Sequence, residues 1–346
     1  MPAVAVHSHC PSFIPVKTLE SRMFDLPTPA FLVDNRRPQR WLSLFAAVAC
    51  LLTAQVASAA TNDIRLRGLI ERDAQGNIVR DAQNNAVLRQ DDFKALTTEL
   101  GFILTPSPLQ PAETTGQSGF DYAIGGAIHI GPNQFGNDRT TYWQDATEGN
   151  SLPVMTTLGV RGRKGFILPI PMTSEVELGA QWLVDSNLLN LGGKLRLALN
   201  EGFAWIPDFA VEAGVNRLVG SQELDFTTIT AGGSVSKGFG VFGDFNLTPF
   251  ASYQAILINA ASRLIVVDPT RTADVSDNLE TFQRIDAMTF ANGQITGANL
   301  YHRMSAGVRF HVAIVAIYIG ADVNYMPDRP DDPFFFSIAS RAGLLF

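Results

Sequence analysis

From residue 119 to the last residue, apolar side chains alternate with small or polar ones along the chain. The closing stretch, FFFSIASRAGLLF at 334–346, has mostly apolar residues at its even positions, whereas its odd positions include Arg341 and several small residues. Successive side chains of a β-strand point to opposite faces, so a period of two is the strand period. The stretch is therefore predicted to be a strand with one apolar face that ends on Phe346.

Nine further stretches alternate in the same way, although the two faces are hard to assign in one of them, at 223–237. They lie near 120–130, 158–163, 175–185, 194–200, 209–216, 223–237, 245–254, 303–312 and 315–325. A soluble β-sandwich would also alternate, but its polar faces would meet bulk water. Here the polar faces are rich in glycine, alanine and serine. This composition suits a crowded lumen better than an open surface.

We therefore predict an all-β fold over 119–346, an antiparallel transmembrane β-barrel with apolar side chains outside and small or polar side chains in the lumen. About ten strands are expected, and twelve is the alternative because residues 282–296 leave room for another hairpin. An even number of strands puts both barrel ends on one side of the membrane.

On a count of ten, long and short connections alternate between the two sides of the membrane. The outer segments are 132–152, 186–190, 217–222, 264–298 and 326–332, and the inner turns are 168–171, 201–207, 238–244 and 313–314. The 313–314 turn is the weakest of these assignments, because the sequence VAIVAIYIG contains no typical turn residue.

The segment 36–59 has the three parts of a secretory signal peptide. Three arginines precede a mainly apolar run at 41–56, and Ala57-Ser58-Ala59 is a cleavage site of the A-x-A type. A membrane anchor and a lipoprotein with a lipidated Cys50 are the alternatives. Residues 1–35 would be an N-terminal extension or reflect a misassigned start codon. Both cysteines, Cys10 and Cys50, precede the cleavage site, so the exported chain would contain none.

Residues 60–118 do not alternate as the barrel strands do. A repeat of eight residues, RDAQGNIV followed by RDAQNNAV, precedes a short predicted helix that starts at Asp91 or Asp92 and ends at Gly101. Its apolar face would carry Phe93, Leu96 and Leu100, and a proline-rich linker follows it. The segment is either a loosely ordered periplasmic leader or a plug that enters the barrel.

Twelve charged residues are predicted to face the lumen. They are Asp121, Arg161, Arg163, Glu175, Glu177, Lys194, Arg196, Glu212, Arg303, Arg309, Asp322 and Arg341. The pair Glu175 and Glu177 should lie opposite Lys194 and Arg196 on the next strand. In a small barrel, side chains fill the interior and buried charges must pair, which gives a salt-bridged lumen. The other interpretation is a constriction that selects ions or solutes.

The histidines His129, His302 and His311 form no recognisable acid–histidine–serine arrangement. Without a cysteine or a close histidine pair, a zinc site is not supported either. We therefore expect no enzyme activity, no catalytic residues, no metal and no cofactor. The net charge of −7 gives no electrostatic support to a nucleic-acid partner.

Taken together, the signal peptide, the alternating strands and the closing IASRAGLLF resemble the Gram-negative outer-membrane β-barrel superfamily. In that superfamily a terminal aromatic residue, here Phe346, with apolar residues at alternate upstream positions such as Leu344, is the signal read by the barrel-assembly machinery. The resemblance covers 119–346 and implies an outer-membrane location, with membrane lipid and the assembly machinery as partners. It indicates an architecture rather than an activity.

The expected function is the passage of small solutes through a channel or transporter. The alternative is a structural or adhesion barrel with a sealed lumen and functional outer loops. An outer-membrane enzyme is the least favoured of the three.

Overall fold

The computed structural model describes residues 62–82, 86–131, 141–147, 154–167, 172–203, 205–263, 265–266, 287–288, 291–292, 299–326 and 333–346. These residues belong to one compact unit, Ala57–Phe346. The predicted extension 1–35, the signal peptide 36–59 and the turn 168–171 lie outside the described residues, as do most of the segments 132–152, 264–298 and 326–332.

Within the described residues, ten long strands form one antiparallel sheet that closes on itself. In order around the wall they are β1 (Phe120–Ile130), β2 (Val154–Ile167), β3 (Thr173–Leu183), β4 (Leu189–Asn200), β5 (Asp208–Val219), β6 (Leu224–Ser236), β8 (Phe245–Ser262), β12 (Leu300–Val312), β13 (Val315–Tyr325) and β14 (Phe334–Leu345).

Closure comes from the pairing of β14 with β1, which runs from Asp121 opposite Leu345 to Ile130 opposite Phe336. Beyond it, Phe120 and Phe346 exchange backbone hydrogen bonds of 3.0 and 2.8 Å. The last residue of the chain therefore completes the seam. The predicted all-β barrel of ten strands is confirmed.

Four short strands add no strand to this wall in the described residues. β7 (Phe239–Phe242) extends the hairpin that leads into β8, and β11 (Ala291–Asn292) pairs with the far end of β8. β9 (Ile265–Val266) and β10 (Ala287–Met288) pair only with each other. The described part of 282–296 thus forms no further barrel hairpin.

Apolar side chains cover the outside of the barrel. Ile124, Leu178 and Met304 are each about two-thirds exposed, at 69%, 66% and 65%, while the residues on either side of them along each strand point inward. So much exposed apolar surface is unusual on a soluble protein and suits contact with lipid. Aromatic rings lie near both ends of the strands, for example the neighbouring rings of Phe334 and Tyr325, with centroids 5.8 Å apart.

The two ends of the barrel differ. The turn end carries Phe120, Phe346 and the connections 201–207, 238–244 and 313–314, and the opposite end, the loop end, carries the connections from β1 to β2, β3 to β4, β5 to β6, β8 to β12 and β13 to β14. β12 and β13 are joined by Ala313 and Ile314 alone, with Ala313 at φ +52°. The turn predicted at 313–314 is therefore present although neither residue favours it.

Among the described residues, three helical elements lie at the loop end, two of them ahead of the barrel in the sequence. A 3₁₀ helix spans Leu66–Leu69, α1 spans Gln90–Leu104, and the short α2 spans Tyr142–Asp145 within the connection from β1 to β2. No helix of the described residues is both long and apolar enough to cross a membrane.

The ends predicted for α1 are wrong. Asp91 and Asp92 lie in the first turn, the N-cap position is Arg89, and the helix continues through Gly101 to Leu104. Gly101 is a close-packing position instead: a Cβ there would lie 2.2 Å from Cδ1 of Ile258. The absent side chain lets α1 approach β8, which sequence periodicity alone does not reveal.

The loop-end half of the lumen is an apolar core built around α1. Phe93, Leu96 and Leu100 are fully buried, as are Phe102, Ile103 and Leu104 at the helix end. They pack against inward residues of the wall, namely Leu183, Leu218, Phe226, Ile256, Ile258, Tyr301 and Phe335. The ring of Phe102 lies 5.7 Å from that of Tyr301 and 5.8 Å from that of Phe335.

Residues 62–70 are tied to the same end. The backbone N–H of Asn62 donates to the carbonyl of Asp185 at 2.9 Å, and Ile64 forms a β-bridge with Thr147. The chain thus begins its described course at the loop end, whereas β1 starts at the turn end.

Candidate functional site: the barrel lumen

Residues 105–118 run through the lumen from the end of α1 to the start of β1. Successive residues contact the wall at positions closer and closer to the turn end. Along β4, Leu104 lies beside Asn190 and Pro111 lies beside Arg196. Thr114 lies beside Glu201, which directly follows the strand. The described part of the predicted 60–118 segment therefore lies at the loop end and inside the barrel.

Side chains of three strands bind the carbonyl groups at the end of α1. Arg303 of β12 donates to the carbonyls of Phe102 (2.6 Å), Thr105 (3.0 Å) and Pro106 (3.3 Å). Gln181 of β3 donates to Ile103 at 3.0 Å, and Asn190 of β4 to Leu104 at 2.5 Å. The last carbonyls of a helix have no partner within the helix. Here the wall supplies their donors.

Wall side chains also donate to the carbonyls of the residues that follow α1. The donors are Arg161 of β2 to Ser107 at 3.0 Å, Ser252 of β8 to Pro108 at 3.4 Å, Arg341 of β14 to Leu109, and Arg196 to Pro111 at 2.5 Å. The carbonyls of residues 102–109 and of Pro111 thus each accept a hydrogen bond from an inward side chain. The lumen wall is built as a set of donors for one backbone segment, which we call the plug segment (residues 102–115).

The composition of the plug segment matches this wall. Pro106, Pro108 and Pro111 have no N–H group, so the segment presents more acceptors than donors. The twelve predicted lumen residues comprise seven cations and five carboxylates. The cations therefore outnumber the carboxylates, and several of them donate to backbone carbonyls of the plug segment instead.

All twelve predicted lumen residues point inward, and ten are buried, with Arg161 and Lys194 close to buried. Glu175 faces Arg196 and Glu177 faces Lys194 across the β3–β4 pair, as the sequence indicates. Glu177 pairs with the facing Lys194 at 3.7 Å. Glu175 and Arg196 do not pair with each other: Glu175 pairs with Arg163 at 3.2 Å, and Arg196 pairs with Glu212 at 2.7 Å. Facing positions alone do not settle pairing where a third strand offers a competing partner.

Two clusters of carboxylates and cations lie in the half of the lumen nearer the turn end. In the first, Arg163 of β2 lies between Asp121 and Glu175 and also donates to the Tyr318 hydroxyl at 3.1 Å. In the second, Lys194 lies 3.3 Å from Glu212 and 3.7 Å from Glu177.

Gln110 of the plug segment enters the second cluster. Its amide oxygen is placed toward the cations, 2.6 Å from Lys194 Nζ and 2.5 Å from Arg196 Nη2, and its nitrogen lies 2.9 Å from a Glu177 oxygen. In the opposite orientation the amide nitrogen, itself a donor, would face two cations.

Carboxylates fasten the turn end of the plug segment. Glu113 pairs with Arg309, the backbone N–H of Thr114 donates to Glu201 at 3.1 Å, and the N–H of Thr115 donates to Glu175 at 3.0 Å. Wall donors therefore bind the carbonyls of the proline-containing part of the segment. Wall carboxylates bind the backbone N–H groups of Thr114 and Thr115 beyond it.

Glycine makes room for the plug segment at mid-height. Eight strands place a glycine inward there, and they are Gly125, Gly159, Gly179, Gly192, Gly214, Gly232, Gly307 and Gly320. A Cβ on Gly320 would lie 2.4 Å from Cδ2 of Leu109. The small inward residues predicted from the sequence thus face a segment of the same chain.

The histidines form no recognisable catalytic arrangement in the described residues. His129 is buried, with its ring nitrogens 2.9 Å from the Ser337 hydroxyl and 3.0 Å from the Thr157 hydroxyl. His302 lies on the outer face, against Tyr253. Among the described residues, no group of three or more His, Cys, Asp or Glu side chains is placed to hold a metal ion. The absence of enzyme activity stays a prediction.

Sequence reasoning missed Gln181, Asn190 and Ser252, which bind the plug segment without carrying charge. It also left Asp322 without a role, and one carboxylate oxygen of Asp322 has no partner among the described residues. One sequence signal could have indicated this contact. Three closely spaced prolines, which leave backbone carbonyls without matching N–H groups, precede strands whose inward faces carry more cations than carboxylates.

No protein-family model matches the sequence, and no curated protein matches it. Solved structures match it at low identity. Neisserial surface protein A (NspA) is 11% identical over 66% of this chain and 97% of its own, with a TM-score of 0.26. LpxR from Salmonella typhimurium is 8% identical over 65% and 100%, with a TM-score of 0.32. The translocator domain of autotransporter NalP from Neisseria meningitidis is 11% identical over 68% and 89%, with a TM-score of 0.29.

Likenesses this distant carry no argument about activity, and the architecture rests on the strand pairing itself. The seam between β1 and β14 leaves the wall without a free edge, and its outer face is apolar. The chain has the architecture of the outer-membrane β-barrels, with no subfamily identified.

Proposed function

We propose that the protein is a plugged outer-membrane barrel that anchors its own N-terminal segment across the membrane and presents residues 62–82, which precede α1, at the outer surface. The observation that carries the proposal is the series of carbonyls, those of residues 102–109 and of Pro111, that are held by wall side chains. A solute path along the same axis would require many of these bonds to break together.

The orientation follows from the two ends of the barrel. Outer-membrane barrels have short turns on the periplasmic side and longer loops outside. The two-residue turn at 313–314 and both barrel termini share the turn end. The loop end, with α1 and residues 62–70, then faces the outside of the cell. Phe346 and Leu344, whose side chains face outward, would serve as the signal for the assembly machinery.

Energetics favour a plug that stays in place. A hydrogen bond to a charged group contributes about 1.5–3 kcal/mol, and a buried donor left without a partner costs a comparable amount. Arg303, Arg161, Arg341 and Arg196 would all lose acceptors if the plug segment left the lumen. The apolar core around α1 adds to this attachment.

Passage of small solutes is the second candidate, and a cavity favours it. A space of about 70 Å³ lies beside residues 105–109, lined in part by Arg161, Glu177 and Lys194. The plug segment therefore does not fill the whole cross-section. If the remaining space connected both ends, these charges would set the ion selectivity.

Planar-bilayer recordings of the protein purified from membranes distinguish the two candidates. The plugged barrel predicts no discrete conductance steps from protein whose folded state is shown by heat-modifiable gel mobility. Deleting residues 62–117 from the same protein should produce steps, provided that the deletion variant passes the same mobility test. Steps from the intact protein that change ion selectivity on Glu177→Gln would overturn the proposal in favour of the channel.

A further inference from the structure

The cavity beside residues 105–109 lies at mid-height in the barrel. Its volume is about 70 Å³, whereas a single water needs roughly 10–15 Å³ of such space. It thus has room for a few water molecules or one small ion. The room exists because Gly125 pairs directly with Gly159, and Gly179 with Gly192, so the wall carries no side chains there.

Within the described part of the chain, three cations, Arg161, Lys194 and Arg341, line the cavity together with one carboxylate, Glu177. Glu177 lies 3.5 Å from Arg161 and 3.7 Å from Lys194 and therefore serves both of them. Lys194 also has Glu212 at 3.3 Å. Arg341 differs from both, because its described contacts are the Leu109 carbonyl and the face of the Tyr318 ring.

Arg341 is only 5% exposed, yet its Nε and Nη1 have no hydrogen-bond partner among the described residues. The hydroxyl of Ser107, which also lines the cavity, is likewise without a partner there. A buried cation is strongly unfavourable unless an opposite charge and hydrogen bonds compensate it. The cavity combines this unpaired cation with space next to it.

We propose that the cavity binds one small monovalent anion of the halide class, between Arg341 and Arg161. One negative charge balances Arg341, which, unlike Arg161 and Lys194, makes no ion pair with a carboxylate of the described residues. The N–H groups of Arg341 and the Ser107 hydroxyl donate to the anion. Because Arg161 and Arg341 also hold the carbonyls of Ser107 and Leu109, the bound anion ties the plug segment to the wall. The site does not depend on whether the lumen is sealed.

Bromide tests the site directly, because it replaces chloride and gives anomalous X-ray scattering. Crystals of the intact protein soaked in sodium bromide should show an anomalous peak inside the cavity next to Arg341, stronger than any bromide peak on the surface. Arg341→Gln should abolish this peak. Arg217→Gln is the matched control, since Arg217 is exposed and pairs with Asp225 outside the lumen, and the peak should persist in it.

Two results would overturn the proposal. One is a cavity in the wild-type protein without an anomalous peak, which needs no variant to observe. The other is an equally strong peak in Arg341→Gln, which would show that the anion does not depend on this guanidinium.

Discussion

The guanidinium of Arg303 lies 2.6 Å from the carbonyl oxygen of Phe102, although 201 positions separate the two residues along the chain. The same side chain is held by Asn324 at 2.6 Å, so its orientation is fixed from the wall. A positive charge at a helix C-terminus is favourable, because the carbonyl end of a helix carries partial negative charge. This contact anchors the last turn of α1, where the plug segment begins, to the barrel wall.

Arg303→Gln should weaken the attachment of the plug segment. The variant loses charged hydrogen bonds to Phe102 and Thr105, each worth about 1.5–3 kcal/mol. We expect the free energy of unfolding to fall by about 3 kcal/mol, measured by urea titration in detergent with heat-modifiable mobility as the readout. The exposed Arg217→Gln should change it by less than about 0.5 kcal/mol. Equal losses in both variants would mean that Arg303 does not hold the helix end.

Ala313→Gly should stabilise the barrel. Ala313 adopts φ +52° in the two-residue turn between β12 and β13, and a left-handed conformation costs an L-residue roughly 1–2 kcal/mol. Glycine has no such penalty, but it has more freedom in the unfolded chain. We expect a net gain of about 0.5–1 kcal/mol in the same unfolding assay. A loss of stability would indicate that the turn has another backbone conformation.

Trp205 should lie in the membrane interface at the turn end. It is 96% exposed, next to exposed Phe203 and Ile206, whereas Trp143 is buried inside the loop end at 2%. Tryptophan is enriched at the boundary between lipid and water. Brominated lipids should therefore quench the fluorescence of the reconstituted protein, and Trp205→Phe should reduce this quenching more than Trp143→Phe does. The reverse order would place the turn end away from the bilayer.

The strands were predictable because their signal is local and repeated. Each wall strand has one face toward lipid and one toward the lumen, so alternation appears along the chain even in β6, where the faces were hard to assign. The inward direction of residues such as Arg163 and Glu212 follows from the same alternation. The 313–314 turn could be placed only by counting strands, since Ala313 and Ile314 give no turn signal.

The plug segment could not be predicted with the same certainty. Its partners on the wall bind its backbone carbonyls, and a carbonyl is the same whichever residue carries it. The pairing of Arg196 with Glu212 instead of Glu175 depends on distances between three strands, which a register of two strands does not give. Gly101 looked like a helix end because close packing and helix termination both favour glycine.

The position of the plug segment can be tested with a disulfide. Ala112 packs in a buried cluster with Ala198 of β4 and Ala210 of β5. The test uses a protein whose Cys10 and Cys50 are changed to serine. A disulfide requires Cα atoms within about 4.4–6.8 Å of each other, so only residues in direct contact can form one. Cysteines at 112 and 210, or at 112 and 198, should therefore oxidise to a disulfide. Val211 follows Ala210 but faces outward, so cysteines at 112 and 211 provide the control.

The decisive measurement is the number of free thiols after mild oxidation and denaturation, counted by the gel shift with a polyethylene-glycol maleimide. If residues 102–115 thread the lumen, the protein with cysteines at 112 and 210 or at 112 and 198 takes up no label, and the control with cysteines at 112 and 211 takes up two. Full labelling of both inward pairs, as in the control, would contradict the plugged barrel.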